Sequence, residues 1–385
     1  MKIIHICTCF PFSENVLYQE NLIAERQASD GHDVLIIANE KEIVDGKVVS
    51  STSKKKQLKP NLRLERLPRY NFLINSITEK VQLSISLNEV LERECPDLIF
   101  YHNIYGLDLL TIGMYAKRTE CILLVDIHAD EKNSALTFFS KNFIHKLLLA
   151  NIIKKIDKYV AKYLYVAKSS YFFAQEHYHI PHKRLRYLPL TYPRGKLSLR
   201  DKLKRNLREK YKLDQNALIF CHGGKMNEAK KTPETLKAFV SANYKKSYLI
   251  LAGSFDSKIK DECFEIIAKH SNIIYMGWLD GKAFSDIIHS SDLYIQIGSQ
   301  SINLQLAASH LTPSVVFPHK NYINGFSDAF FYADDKKSLQ KVFSSIFSNS
   351  SILNEKEKLI ESRVLKRPDL DDTINIINDE VINAG

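Results

Sequence analysis

Leu218–Ala238 reads LIFCHGGKMNEAKKTPETLKA. Its opening run, Leu218-Ile219-Phe220-Cys221, has the length and bulk of a buried strand. Gly223 and Gly224 are expected to end that strand, because glycine takes backbone angles that other residues avoid. Lys225, Lys230 and Lys231 follow, then Thr232 as expected N-cap and Pro233 as expected first helical residue. Strand, double glycine, lysines and helix start together form a device for holding an anion. Backbone N–H groups at a helix N-terminus favour negative charge, and lysines add full positive charges. The alternative is a loop with three solvated lysines. The P-loop is excluded, since it needs Gly-x-x-x-x-Gly-Lys-Ser/Thr.

Working outward, 385 residues suggest two domains, and 45% apolar residues supply a core for each. The net charge of +10 suits an acidic partner: nucleotide, phosphorylated lipid, membrane surface or nucleic acid. Nucleic acid is least favoured, because the charge is spread out and no recognition motif is present. No run of about 18 apolar residues predicts a transmembrane helix. The opening MKIIHICTCF reads as a first core strand rather than a signal peptide. Cys7, Cys9, Cys95, Cys121, Cys221 and Cys263 are scattered, and no zinc-site spacing appears. Reduced thiols in a cytoplasm fit this pattern.

Strands and helices alternate throughout, which predicts doubly wound parallel sheets. In the first half, strands are expected at 2–7, 33–38, 62–67 (an edge strand), 98–102, 121–127, 163–167 and 185–189. Helices are expected at 18–29, 75–93, 107–119 and 169–178, with 45–60 a lysine-rich excursion. Residues 141–163 read as a basic amphipathic helix, either packed on the sheet or facing an anionic membrane. A linker is expected near 190–200, giving domains 1–193 and 194–385. In the second domain, strands at 218–222, 248–252, 273–276, 293–296 and 314–317 alternate with helices at 233–243, 257–269, 281–289 and 303–310. A polar helical tail, which the expected arrangement returns to the first domain, follows from about Leu353. Two such domains facing a central cleft would hold a ligand at the C-terminal ends of their strands.

The layout and motifs resemble retaining GT-B glycosyltransferases of the family 4 type, found in bacterial surface-polysaccharide synthesis. The resemblance rests on the Tyr18-Gln19-Glu20-Asn21 helix start, Gly31-His32-Asp33-Val34, Asp126-Ile127-His128-Ala129-Asp130 with Asn133-Ser134-Ala135, the Gly223–Thr232 loop and SINLQLAASHLTP at Ser301–Pro313. It implies a metal-independent enzyme with no cofactor, taking a UDP- or GDP-linked sugar as donor. A glycan or lipid-linked molecule at the inner membrane face would be the acceptor.

The resemblance also implies roles. Gly223 and Gly224 would let the backbone approach the donor, with Lys225 and Lys231 as its basic pair; Lys230 is read as a solvated side chain, with a substitute for that pair as the alternative. Lys225 stands where arginine is usual, keeping the charge but losing the two-pronged fork. Ser299, Gln300, Ser301 and Ile302 would present a helix start to the diphosphate, and Trp278-Leu279 would lie beside the base. His128 would meet the donor sugar; Asp126 and Asp130, on the same side of a strand, would orient it, and Asp130 would alternatively reach the acceptor. A core histidine or a metal site are the other readings of this run. The usual glutamates are replaced by Ile297 and Gln305, and Gln305 still bonds hydroxyls through its amide. Two alternatives follow: a non-catalytic nucleotide-sugar-binding relative, and a sugar-nucleotide epimerase of the same fold.

Overall fold

The computed structural model describes residues 1–70, 82–130, 134, 140–299 and 301–384. The chain forms two compact units. The first comprises Met1–Glu14, Tyr18–Thr191 and Leu370–Gly385; the second comprises Asn15–Leu17 and Tyr192–Asp369.

Among the described residues the first unit has ten strands: β1 (Lys2–Cys7), β2 (Asp33–Asn39), β3 (Lys41–Val44), β4 (Lys47–Ser50), β5 (Lys55–Lys59), β6 (Leu62–Leu67), β7 (Leu98–Tyr101), β8 (Ile122–Ile127), β9 (Lys162–Tyr165) and β10 (Leu185–Tyr187). Eight form one sheet, ordered β10-β9-β8-β7-β1-β2-β6-β5. All its pairings are parallel except β5 with β6. Ile3, Ile4, Ile6, Ile36, Ile37 and Phe100 are buried, as expected for strands covered on both faces. The chain starts at β1, runs to β2 on one side and resumes at β7 on the other. The switch point therefore lies between β1 and β7.

Among the described residues the second unit has six strands: β11 (Leu218–Met226), β12 (Ser247–Phe255), β13 (Ile273–Tyr275), β14 (Leu293–Gln296), β15 (Ser314–Val316) and β16 (Phe331–Tyr332). They are ordered β13-β12-β11-β14-β15-β16, all parallel, with the switch point between β11 and β14. Phe220 stacks on Phe343, with ring centroids 5.4 Å apart, and anchors the core beneath.

Several elements differ from the sequence expectation. The double glycine does not end β11, which stays paired with β12 as far as Met226↔Phe255. Cβ-free backbones let the two strands approach: a Cβ on Gly253 would lie 2.0 Å from the Gly224 carbonyl oxygen. The following helix is Thr232–Ala242, capped by Lys231 in the left-handed region, so Thr232 is already helical. Residues 45–60 are ordered: β3 and β4 form a hairpin around Asp45-Gly46, and β5 covers β6 and takes the edge from it.

The helix expected over 75–93 is helical only from Leu87, as Leu87–Glu94: residues 75–81 lie outside the described range, and Gln82–Ser86 are not helical, Ser84 bridging Arg69 and Ser86 taking a φ of +62°. The 141–163 stretch is not one α-helix. It runs as a π-helix at Ser140–Leu149, an α-helix at Ala150–Ile156, a short 3-10 turn and then β9. The expected linker ends in a helix, Leu197–Tyr211, which takes its last four residues and whose Leu207 is buried with Leu213, Ile219 and Ile250.

The closing helix Leu370–Ile382 belongs to the first unit. Ile374 and Ile377 are buried, Thr373 Oγ1 lies 2.8 Å from Thr191 Oγ1, and Glu380 accepts from Arg186 at 2.5 Å.

Candidate functional site

In the second unit the loops after β11 and β14 flank the switch point, the place where open parallel sheets bind ligands. They touch each other at Gly298, where a Cβ would stand 2.0 Å from the Ala229 carbonyl oxygen. This contact fixes the lysine loop against the start of the helix Asn303–Ser309. His222 is buried, bonding the Ile295 carbonyl at 2.9 Å and the Thr232 hydroxyl at 2.9 Å, and so ties both strands to the helix start. Burial pushes that imidazole down to about 4, so it is neutral.

The three lysines separate here. Lys225 is exposed. The Lys231 ammonium donates to the backbone carbonyl of Asp334. Lys230 turns inward: its Nζ donates to the Gly223 carbonyl at 3.2 Å and lies 2.9 Å from where a Gly224 Cβ would be. Asn303 Nδ2 approaches the same Gly224 position at 3.2 Å. Burial lowers Lys230 to about 8. Among the described residues no carboxylate pairs with it.

The remaining candidates surround this point unequally. The Ser301 N–H donates to the Tyr322 hydroxyl at 3.3 Å, and the buried Tyr294 hydroxyl donates to Gln296 Oε1 at 3.3 Å. Ser299 offers its carbonyl to Gln296 at 3.1 Å, and Ile302 is exposed. Gln300 lies outside the described residues. Ile297 is wholly buried. Gln305 is exposed and lines a small pocket with Tyr192, Arg194, Phe326 and Arg367. Trp278 and Leu279 are half-buried in the loop after β13, beyond Gly277, whose carbonyl accepts from Gly253 at 2.7 Å.

In the first unit a second constellation sits at the ends of β1, β7 and β8, on the other switch point. His128 follows β8 directly, and its Nε2 lies 3.4 Å from Asp126 Oδ2. Asp130 does not continue the strand face, because β8 ends at Ile127. Its carboxylate accepts from the Ser169 hydroxyl at 3.2 Å. Asp126 is fully buried and takes two further donors: the Asn103 N–H on Oδ1 at 2.6 Å and His102 Nδ1 on Oδ2 at 2.7 Å. Burial alone would raise its pKa, but His128 and His102 hold it well below the usual carboxylate range. For His128 burial pulls downward, and the Asp126 and Glu20 charges outweigh it, so the imidazole is more basic than usual. Glu20, in the first turn of the helix Gln19–Ser29, is buried and pushed up by that burial.

Lys230, Asn303, His102 and Glu20 carry more of these two constellations than the sequence signals suggest. For His102 the signal is present: the run LIFYH ends in a histidine just as CILLVDIH does. Among the described residues no group of three or more His, Cys, Asp or Glu side chains is placed to hold a metal ion.

The fold has solved counterparts along the whole chain. Sucrose-phosphate synthase from Thermosynechococcus elongatus matches with a TM-score of 0.66 at 12% identity, covering 100% of both chains. Anabaena HepE in complex with UDP matches with a TM-score of 0.68 at 12% identity, again covering 100% of both. WaaG, a glycosyltransferase involved in lipopolysaccharide biosynthesis, matches at 0.61 and 14% identity, covering 98% of this chain and 99% of its own. At these identities the likeness is one of fold, and the fold is that of the GT-B glycosyltransferases. No family model and no curated protein matches the sequence.

Proposed function

We propose that the protein is a retaining glycosyltransferase that moves a sugar from a UDP- or GDP-linked donor to a glycan or lipid-linked acceptor in surface-polysaccharide synthesis. The observation that carries this reading is Lys230. It is an inward-turned cation with no carboxylate partner among the described residues, beside two glycines and a helix start at a sheet switch point. Such a place suits a diphosphate, whose charge grows as the glycosidic bond breaks. Solved structures of the same fold include complexes with UDP and with UDP-glucose, which supports this choice of ligand.

In this reading Lys230, the Ser301–Asn303 helix start and the loop backbone hold the leaving diphosphate. His128, held by Asp126, meets the donor sugar. Fixed cations stabilise the leaving group, so no metal is called for. An inner membrane face is the proposed location: Leu147 and Leu148 are exposed beside Lys146, Lys154 and Lys155. Among the described residues no helix is long and apolar enough to cross a membrane.

The test is transfer of radiolabelled sugar from UDP- and GDP-linked donors into a lipid extract, run in excess EDTA, beside calorimetric titration with the same donors. Transfer in EDTA supports the reading. Binding without transfer favours the non-catalytic relative, which the burial of Ile297 and the outward position of Gln305 also support. Release of free sugar and nucleotide without acceptor favours the epimerase. Binding of neither donor overturns the proposal.

A further inference from the structure

We propose that Asn39 and Arg66 are positioning residues that hold the loop after β1 with its N–H groups turned outward, as a cradle for an anionic oxygen group of the acceptor. This rests on the reading of the protein as a glycosyltransferase.

The loop runs from Thr8 to Glu14, at the C-terminal end of β1 and on the first unit's switch point. Five of its carbonyl groups accept from side chains. Asn39 Nδ2 donates to the Thr8 carbonyl at 2.9 Å and to the Phe10 carbonyl at 2.7 Å. Gln82 Nε2 donates to the Cys9 carbonyl at 3.0 Å, Arg66 Nη2 to that of Phe12 at 3.0 Å, and Asn21 Nδ2 to that of Ser13 at 3.0 Å. A backbone carbonyl only accepts, so each of these amides has its NH₂ end fixed toward the loop.

The direction of the N–H groups follows from these contacts. In a planar trans peptide the C=O of one residue and the N–H of the next point opposite ways. No peptide bond among the described residues is cis. The carbonyls of Thr8, Cys9, Phe12 and Ser13 are drawn toward their clamps. The N–H groups of Cys9, Phe10, Ser13 and Glu14 therefore face away from them. Among the described residues none of these four donates to a protein acceptor. A backbone N–H without a protein partner takes water or a ligand, and successive N–H groups facing one way make a concavity for anions. The one carboxylate of the loop, on Glu14, is taken by Lys56 at 2.5 Å, which balances the charge that would oppose an anion.

Asn39 and Arg66 are the clamps most firmly held themselves. Asn39 ends β2 and is 1% exposed, and its Oδ1 accepts from the Lys41 N–H at 2.8 Å, so its amide is fixed at both ends. Arg66 lies on β6, beside Ala38 in the register, with its side chain 1% exposed. Its guanidinium also donates to the Asn39 carbonyl at 3.0 Å and the Lys41 carbonyl at 3.3 Å, and meets Glu42 at 3.4 Å. The β3–β4 hairpin adds a tie, its Ile43 N–H donating to the Ser13 hydroxyl at 2.6 Å. The loop contains no glycine; two neighbouring strands give it its shape. The diphosphate is assigned to Lys230 in the second unit, so the cradle in the first goes to the acceptor. The phosphate of a lipid carrier and the carboxylate of an acidic sugar share the chemistry it takes.

Amide NMR of the nitrogen-15-labelled full chain tests the cradle, with inorganic phosphate, glucuronate and, as neutral control, glucose as probes. The signals of Cys9, Phe10, Ser13 and Glu14 should move with phosphate or glucuronate and stay still with glucose. Movement with phosphate alone assigns the lipid phosphate, and with glucuronate alone the acidic sugar. No movement with either anion, or equal movement with glucose, overturns the proposal. Asn39→Asp keeps the shape but loses the NH₂ donor, and should suppress the movement of Cys9 while Ser13 still responds. Arg66→Lys should do the reverse. In both variants the acceptor KM for transfer into a lipid extract should rise about 10-fold or more, with the Kd of the nucleotide-sugar donor unchanged. Uniform suppression of all four signals with loss of donor affinity would mark a merely structural role and overturn the assignment, as would no suppression in a folded variant. Should one variant not fold, the other decides. No transfer by wild type with the amide movements intact removes the transferase reading only. Transfer with an unchanged acceptor KM in the folded variants removes the positioning role.

Discussion

Lys230 Nζ donates to the backbone carbonyl of Gly223 at 3.2 Å, reaching back past Gly224 to the strand β11. A carbonyl is a weak partner for a desolvated ammonium, so the interaction leaves most of the charge available to an incoming anion.

Lys230→Ala should weaken binding of a nucleoside diphosphate by roughly 10- to 100-fold, the range for losing a hydrogen bond to a charged group. Lys225→Ala, at an exposed position, should change it far less. Calorimetric titration of both variants distinguishes them, and equal losses would return the role to the pair suggested by sequence.

Burial sets Lys230 at about 8 against its ordinary 10.5. Nucleoside diphosphate affinity should therefore decline as pH rises through about 8 and beyond, and this decline should be absent in Lys230→Ala. The effect on folding has the opposite sign. Between about 8 and 10.5 the unfolded chain holds this proton more firmly than the folded one, so the lysine's contribution to stability improves as pH rises through that window. Titration and thermal melts across about pH 7 to 11, spanning the two values, check both.

Gly298→Ala should separate the two loops of the second unit, because its Cβ would lie 2.0 Å from the Ala229 carbonyl oxygen. A loss of about 1–3 kcal/mol of stability is the usual effect of such overpacking, with nucleotide affinity falling alongside. Denaturant melts of the variant that match wild type would mean the loops do not depend on this contact.

His128→Ala should depress turnover while leaving nucleotide affinity nearly unchanged, because its proposed contact is with the sugar where charge develops. Single-turnover transfer beside calorimetry reads both. Equal transfer by variant and wild type would remove His128 from the mechanism.

Anionic vesicles should retain the protein weakly and in a salt-sensitive way, since exposed charges are screened over about 8 Å at physiological salt. Replacing Lys154, Lys155 and Lys158 with Glu should abolish retention. Co-sedimentation at low salt tests this; indifference of the wild type would leave Leu147 and Leu148 as ordinary exposed residues.

The parallel sheets were legible because their strands are buried on both faces and so read as apolar runs: DVLIIA, LIFY and YLILA are visible without a partner. The hairpin at Lys41–Ser50 was missed: Asp45-Gly46 between EIV and KVV is a two-residue turn signal, but the surrounding lysines led to the reading of 45–60 as an excursion. The lysines show the limit of spacing arguments. Which of Lys225, Lys230 and Lys231 turns inward depends on Lys231 adopting a φ of +53° and on Gly298 meeting Ala229 from a loop some 70 residues away; neither is written locally. The His102–Asp126 contact was hidden for the same reason: Asp126 lies on β8 and His102 directly after β7, and the two become neighbours only when the sheet forms.

The return of Leu370–Ile382 to the first unit has a consequence for biosynthesis. The stretch Tyr192–Asp369 leaves the ribosome with nearly all its own partners, and can close as soon as it emerges. The first unit, although translated earlier, lacks the helix that buries Ile374 and Ile377 and brings Glu380 to Arg186. The first unit can therefore complete its packing only once Leu370–Ile382 has followed the second unit off the ribosome, whatever part of its sheet has formed before then.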